Sequence, residues 1–175
     1  MKIEVKSKRI ILKPFNSTIP SQKYLRWLRD EEISRYIIKS KYNSIDEIKK
    51  FLISMNSYNN YFFKIVIIKN SEHVGNLRIG PINFKNLSSK FGIMIGNRNY
   101  HGIGIGKEVT KLAEKFIFKF LNLKKMEFEC IEDNFPAMKL YRSLNFKEKR
   151  LKNKLFINGN KLNQVMFYKF NPNNE

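Results

Sequence analysis

The sequence predicts one α/β domain built on a mixed sheet, and three observations predict it. Strand-like runs rich in β-branched and aromatic residues are interspersed with stretches whose apolar residues recur at helical spacing. The chain has 175 residues, 42% of them hydrophobic, enough for a sizeable core and too apolar for a disordered segment. No repeat, linker or low-complexity stretch interrupts it, so residues 1–175 read as a single domain.

The elements follow in order. Arg9 to Phe15 (RIILKPF) reads as a first strand, ended near Pro14. Pro20 or Ser21 opens a helix through Asp30, with Tyr24, Leu25, Trp27 and Leu28 on its apolar side. Ser44 to Met55 is a second helix with Ser44 as N-cap, Glu47 completing a capping box, and an apolar face of Ile45, Ile48, Phe51, Leu52 and Met55. Three strands follow over Tyr61–Lys69, His73–Ile82 and Lys90–Gly96, the first two joined by a hairpin turn at 69–72, with Asn83 to Ser89 as a loop. A helix from Gly104 to Leu121 buries Ile105, Val109, Leu112, Ala113 and Phe116. Lys125 to Ile131 is a strand with Met126, Phe128 and Cys130 on one side and Glu127 and Glu129 on the other. Asn134 caps a short helix with Pro136 in its first turn and a buried stripe of Ala137, Leu140 and Leu144, Tyr141 lying beside it. Phe146–Phe156 and Leu162–Phe170 close the sheet around a turn at Asn158, Gly159 and Asn160.

The stretch that carries chemistry is Phe91 to Lys107 (FGIMIGNRNYHGIGIGK), a strand, a polar turn and then Gly102, Gly104 and Gly106 at the head of a helix. Glycine permits positive φ and close approach of a ligand to the backbone. The first amides of a helix are unpaired donors, and the helix dipole adds to their attraction for an anion. The loop therefore reads as a phosphate cradle; the plainer reading is a tight turn with close helix packing. It is neither the dinucleotide fingerprint nor a P-loop, because the glycine spacing and the residues that follow both differ.

Composition excludes several classes. The single cysteine, Cys130, rules out an internal disulfide framework and zinc clusters of the Cys-x-x-Cys kind, and no metal is expected. The N-terminus MKIEVKSKR has no apolar stretch of a signal peptide, and the apolar run Ile65–Ile68 is far too short to span a bilayer, so a cytoplasmic protein without a membrane span is expected. Net charge is +19, from 34 basic and 15 acidic residues, but the lysines are scattered and the one dense block, Lys147–Lys154, alternates with apolar residues. This argues against nucleic acid as the main partner, while the charge draws anionic small molecules toward any concave site.

Several residues together resemble the GNAT (GCN5-related) family of N-acetyltransferases. His101-Gly102-Ile103-Gly104-Ile105-Gly106 is similar to the family's Q/R-x-x-G-x-G/A signature, with His101 a departure from Gln or Arg. Asn134 and Leu140-Tyr141-Arg142-Ser143-Leu144-Asn145-Phe146 resemble the family Asn and its L-Y-x-x-x-G-F segment, Asn145 replacing Gly as the αL residue after the helix. RIILKPF, Tyr24–Leu28, Phe156–Gly159 and Met166 resemble the branch of ribosomal-protein N-terminal, polyamine and amino-sugar acetyltransferases. The resemblance covers nearly the whole chain. It implies a largely antiparallel sheet with a splayed central strand pair and flanking helices, and acetyl-CoA as cosubstrate.

The resemblance also implies roles. The pyrophosphate of the coenzyme is expected on the amides of Gly102, Ile103, Gly104, Ile105, Gly106 and Lys107, and its pantetheine arm along Met94, Ile95 and Gly96. Asn134 is expected beside that arm, with a plain helix cap as the compatible alternative. Tyr141 stands where the family keeps the acid that protonates the departing thiolate, and a phenol suits that task; the alternative is a half-buried tyrosine on the sheet. Glu129 lies where some members place the base for the acceptor ammonium, with a solvated strand position as its alternative. His101 is expected against phosphate or solvent, His73 exposed in a turn, and Cys130 in the core.

The acceptor is expected to be a primary amine, on an amino-sugar nucleotide or another small molecule. The first two helices and the last hairpin carry Arg26, Arg29, Arg35, Lys39, Lys149, Arg150, Lys152 and Lys154, a rim that would repel a polycation such as spermidine. A protein N-terminus, a catalytically degenerate coenzyme-binding protein and a basic RNA-binding module are the other readings, and a homodimer is compatible with the sequence.

Overall fold

The computed structural model describes residues 5–15, 22–37, 44–55, 59–152, 155–157 and 160–174. Strand β1 (Val5–Lys6) pairs with β2 (Ile10–Pro14). Helices α1 (Gln22–Arg29), α2 (Glu31–Ser34) and α3 (Ile45–Met55) follow, then β3 (Tyr61–Ile67), β4 (His73–Asn83) and β5 (Ser88–Ile95). Helix α4 (Ile105–Lys115) runs into a π-helical turn (Phe116–Phe120). The chain closes with β6 (Lys125–Ile131), α5 (Phe135–Ser143), β7 (Lys147–Arg150), β8 (Leu155–Ile157), β9 (Asn160–Leu162) and β10 (Gln164–Phe170).

Eight strands form one sheet in the order β1-β2-β3-β4-β5-β6-β10-β7, and β8 and β9 form a separate hairpin. Every pairing in the large sheet is antiparallel except β5 with β6. That parallel pair is held over three residues only, Ser88–Lys90 against Lys125–Glu127. Beyond it both strands continue without pairing to each other. This is the splayed pair expected of the fold, set in a mixed, largely antiparallel sheet with flanking helices.

Two apolar clusters cover the two faces. The larger packs α4, its π turn and α5 on the sheet, with Phe116, Phe167, Leu77, Ile79 and Met126 fully buried. The smaller packs α1 and α3 through Tyr24, Leu25, Trp27, Leu28, Ile48 and Leu52, with Phe62 and Met94 against them. Burying these stripes of apolar surface is what holds such short helices on the sheet.

Most local expectations hold. The four apolar residues of α1 are all buried, and Ser44 Oγ accepts from Glu47 N–H at 3.2 Å as a cap. Three corrections concern long-range packing. The loop expected over 83–89 is a tight turn, because β5 already begins at Ser88. The buried stripe of α5 is Met138 and Tyr141, with Leu144 at its end, while Ala137 and Leu140 are half-buried; Tyr141 lies in the stripe, not beside it. The closing strand expected over 146–156 is two shorter strands, β7 and β8. The start of the first helix at Pro20 or Ser21 and the turn at 158–159 lie outside the described residues.

Candidate active site

The parting of β5 and β6 makes the site. Past Lys90 and Glu127 the backbone of β5 is paired on one side only, to β4, and the strands open a cavity of about 440 Å³. Met94, Glu129, Asn134 and Tyr141 all line it. The gap thus brings together residues from β5, β6 and α5 that lie far apart in sequence.

The glycine loop stands at the end of β5. Gly102 and Gly104 have φ of +72° and +86°, conformations a side chain would strain. Gly104 is the N-cap of α4 and has no side chain with which to cap it, leaving the first-turn amides for an external acceptor. Gly106 has a different role: a Cβ there would sit 3.3 Å from Leu140 Cδ2, so α4 and α5 approach closely at that point. Ile103 is half exposed, Ile105 is buried, and Lys107 is at the surface.

The loop is pinned from the neighbouring strand. Arg9 Nη1 donates to the Ile103 carbonyl at 3.1 Å, and Arg9 Nε to Glu108 Oε2 at 2.7 Å. Ser7 Oγ and the Arg9 amide donate to Glu108 Oε1. Burial works to raise the pKa of Glu108, but these donors outweigh it and hold the carboxyl below its ordinary range.

Of the β5 residues expected to run beside the coenzyme, Met94 lines the cavity, while Ile95 packs on the main core and its carbonyl accepts from His101 Nε2 at 2.8 Å. The His101 ring is thus turned to the end of β5. Gly96 is buried beneath Trp27: a Cβ would fall 2.0 Å from Trp27 Cδ2. Gly96 therefore lets α1 close on the sheet.

The far wall is β6 and α5. Glu129 Oε1 lies 2.6 Å from Lys90 Nζ on β5, the side chains 31% and 41% exposed, so the pair spans the strands where they diverge. Asn134 caps α5, accepting from the Ala137 amide at 3.3 Å, and also lines the cavity, so both of its expected positions are compatible. Tyr141 is buried, its ring centroid 4.0 Å from that of Phe128. Burial, with Cys130 beside it, raises its pKa well above the ordinary phenol value, against a smaller opposing effect of the Thr110 hydroxyl. The phenol is therefore held protonated. Cys130 is core as expected, its thiol pushed up to about 11 by burial, and it reaches the cavity wall.

Two expectations fail. His73 is not exposed in a turn: it opens β4, its ring centroid 5.0 Å from Trp27 and 6.0 Å from Phe15, and burial lowers its pKa. The basic rim also falls away from the cavity. None of Arg26, Arg29, Arg35, Lys149, Arg150 or Lys152 lines it; Arg150 pairs with Glu132 at 2.8 Å, and Arg35 lies over the Tyr36 ring. Lys39 and Lys154 lie outside the described residues.

The lining residues that sequence reasoning missed are Asn76 and Arg78 on β4, Lys90 and Gly92 on β5, and Tyr36 after α2. Tyr36 Oη donates to the Asp133 carbonyl at 3.2 Å, bridging α2 to the turn before α5. One signal was available: Asn76 and Arg78 alternate with Leu77 in an otherwise apolar strand, as polar residues facing a cavity would.

Comparison with known proteins agrees with this geometry. The family model described as acetyltransferase (GNAT) domain matches residues 9–147. Spermidine N(1)-acetyltransferase of Escherichia coli K12 is 28% identical over 134 residues, covering 76% of this chain and 71% of the relative. An N-acetyltransferase 9-like protein of Caenorhabditis briggsae is 26% identical over 156 residues, 83% of this chain and 78% of the relative. Among solved structures, Vibrio cholerae spermidine N-acetyltransferase in complex with CoA and spermine superposes with a TM-score of 0.81 at 22% identity, covering 94% of this chain and 97% of that one. A GCN5-related N-acetyltransferase from Brucella melitensis superposes at 0.80 with 15% identity, covering 98% and 80%. With a family model over most of its length and a sheet that parts at the expected strands, the chain belongs to the GNAT acetyltransferase family and is an acetyl-CoA-dependent N-acetyltransferase of that type.

Proposed function

We propose that the enzyme acetylates a single primary amine carried on a neutral or anionic body, an amino-sugar nucleotide or another small amine. The observation that carries this is the charge of the cavity. Among the described lining residues Glu129 is the one carboxylate, and Lys90 already pairs with it. The segments 16–21, 38–43 and 56–58 contain no acidic residue to add to it. A polyamine places several ammonium groups in its site and needs several carboxylates to offset their desolvation. The remaining wall is mainly apolar, from Leu28, Ile37, Phe51, Phe62 and Ile93.

In this reading the amides of residues 102–107 hold the pyrophosphate, and the backbone of Met94–Gly96, with Asn134, holds the pantetheine arm. Acetyl-CoA supplies the activated acetyl carbon. Glu129 takes the proton the acceptor ammonium must lose, and the amine nitrogen then bonds to the carbonyl carbon. The C–S bond breaks, Tyr141 gives its proton to the departing sulfur, and the second proton the nitrogen sheds on becoming an amide restores the phenol, leaving the one proton taken by Glu129 as the net release. The transfer is read as direct, as in the family, with Cys130 as a buried wall residue and not a nucleophile.

The experiment is a thiol-release assay with spermidine, an amino-sugar nucleotide and an acidic N-terminal peptide. The expected preference is for the amino-sugar nucleotide; preference for the peptide supports the second reading, a protein N-terminal acetyltransferase. Preference for spermidine, the substrate named for the Escherichia coli relative, would overturn the electrostatic argument. Acetyl-CoA binding without turnover of any amine would mark a degenerate binder.

A further inference from the structure

Asn76 on β4 is 3% exposed, and only one end of its amide is held. Oδ1 lies 2.9 Å from His73 Nε2, and the same ring nitrogen lies 2.9 Å from the Gly75 carbonyl oxygen. A carbonyl can only accept, so Nε2 carries the proton and the Asn76 atom beside it is the oxygen. The orientation of the amide is thereby set. Nδ2 points away from His73, is buried, and has no hydrogen-bond partner among the described residues. A buried donor without a partner is uncommon enough to need an explanation.

Its surroundings supply one. Asn76 lines the cavity, opposite Met94 in the β4–β5 register. Two pairs further along, on the same face, Arg78 stands opposite Gly92, where an added Cβ would meet nothing within 4 Å. Gly92 therefore leaves open space on β5 between Met94 and Lys90, with Arg78 as the cavity-lining residue across from it. The His73 ring that fixes the amide is itself wedged against Trp27 and Phe15, so Asn76 is held in place before any ligand arrives.

Resting on the acceptor reading above, we infer that Asn76 is a specificity-determining residue whose Nδ2 donates to an oxygen of the acceptor near its amine. The acceptor class is then amines with a carbonyl, hydroxyl or phosphate oxygen close to the nitrogen: amino sugars, or α-amino amides such as a peptide N-terminus. A protonated polyamine offers only donors and would leave Nδ2 unpaired. A site built to hydrogen-bond one group discriminates strongly against the analogue that lacks it.

The test compares acceptors that differ in that oxygen: glucosamine against cyclohexylamine, and leucinamide against isopentylamine, each as kcat/KM by thiol release. The wild type should favour the oxygen-bearing member of at least one pair by about tenfold or more. Which pair responds separates a sugar from an amino-acid source. Asn76→Ala should bring that ratio close to one while acetyl-CoA affinity by calorimetry stays the same. Asn76→Asp keeps an oxygen toward His73 and puts an acceptor where the donor was, so it too should abolish the preference for the oxygen-bearing acceptor should the alanine variant not fold. A wild-type ratio near one in both pairs, or a ratio that survives in a folded variant, overturns the assignment of Asn76 and leaves the acceptor reading standing. Preference for spermidine over all four amines overturns both.

Discussion

Lys90 Nζ and Glu129 Oε1 meet at 2.6 Å across β5 and β6, just where those strands stop pairing. The contact places a carboxylate in the wall of the cavity between the strands and ties it to the opposite strand. Glu129→Gln keeps the shape and removes the carboxylate proposed as the base. The expected result is a fall in kcat of about 10²–10⁴-fold. Both side chains are partly exposed, so the lost ion pair should cost no more than about 1 kcal/mol of stability. Wild-type kcat in the variant would return the base to a water chain.

Tyr141→Phe removes one oxygen from a buried ring and leaves its packing on Phe128 and Phe146. A fall in kcat of about 10²–10⁴-fold is expected, with acetyl-CoA affinity nearly unchanged, because the proton matters in the transition state. Loss of coenzyme affinity with kcat intact would make Tyr141 a packing residue.

Gly104→Val puts a β-branched side chain at φ +86°, at the N-cap of α4 and 3.4 Å from Arg9 Nη2. Acetyl-CoA should bind at least about tenfold more weakly by calorimetry, as loss of one charge-assisted hydrogen bond alone would produce. Unchanged affinity would sink the phosphate cradle.

Gly96→Ala tests a packing relationship. A Cβ there overlaps the Trp27 ring, so α1 must shift off the sheet. Overpacking of this kind costs about 1–3 kcal/mol. Thermal unfolding should show it, and Trp27 fluorescence should report the displaced ring. In a Trp27→Ala background, where the ring is gone, Gly96→Ala should cost less than in the wild type; an equal cost there would place the strain elsewhere.

What the sequence determined by itself is the set of features whose cause lies within a few residues. The αL conformations at Gly102, Gly104 and Asn145, the caps at Ser44 and Asn134 and the buried face of α1 all belong to it. Backbone sterics and local hydrogen bonds settle such features, and the glycine loop with Asn134 and Tyr141 at their spacing carried the family resemblance. The tertiary structure alone decided where β5 and β6 part, and so which side chains face one cavity. Lys90 and Glu129 are 39 positions apart, and nothing local to either predicts their contact. His73 looked like a turn residue until Trp27 and Phe15 closed on it, and that Gly96 also has to leave room for the Trp27 ring appears only once α1 packs over it. Asn76 was legible only as a polar interruption in an apolar strand. Its orphaned donor appears once β4, β5 and α1 are assembled, because burial and hydrogen-bond satisfaction depend on every neighbour a residue has in space.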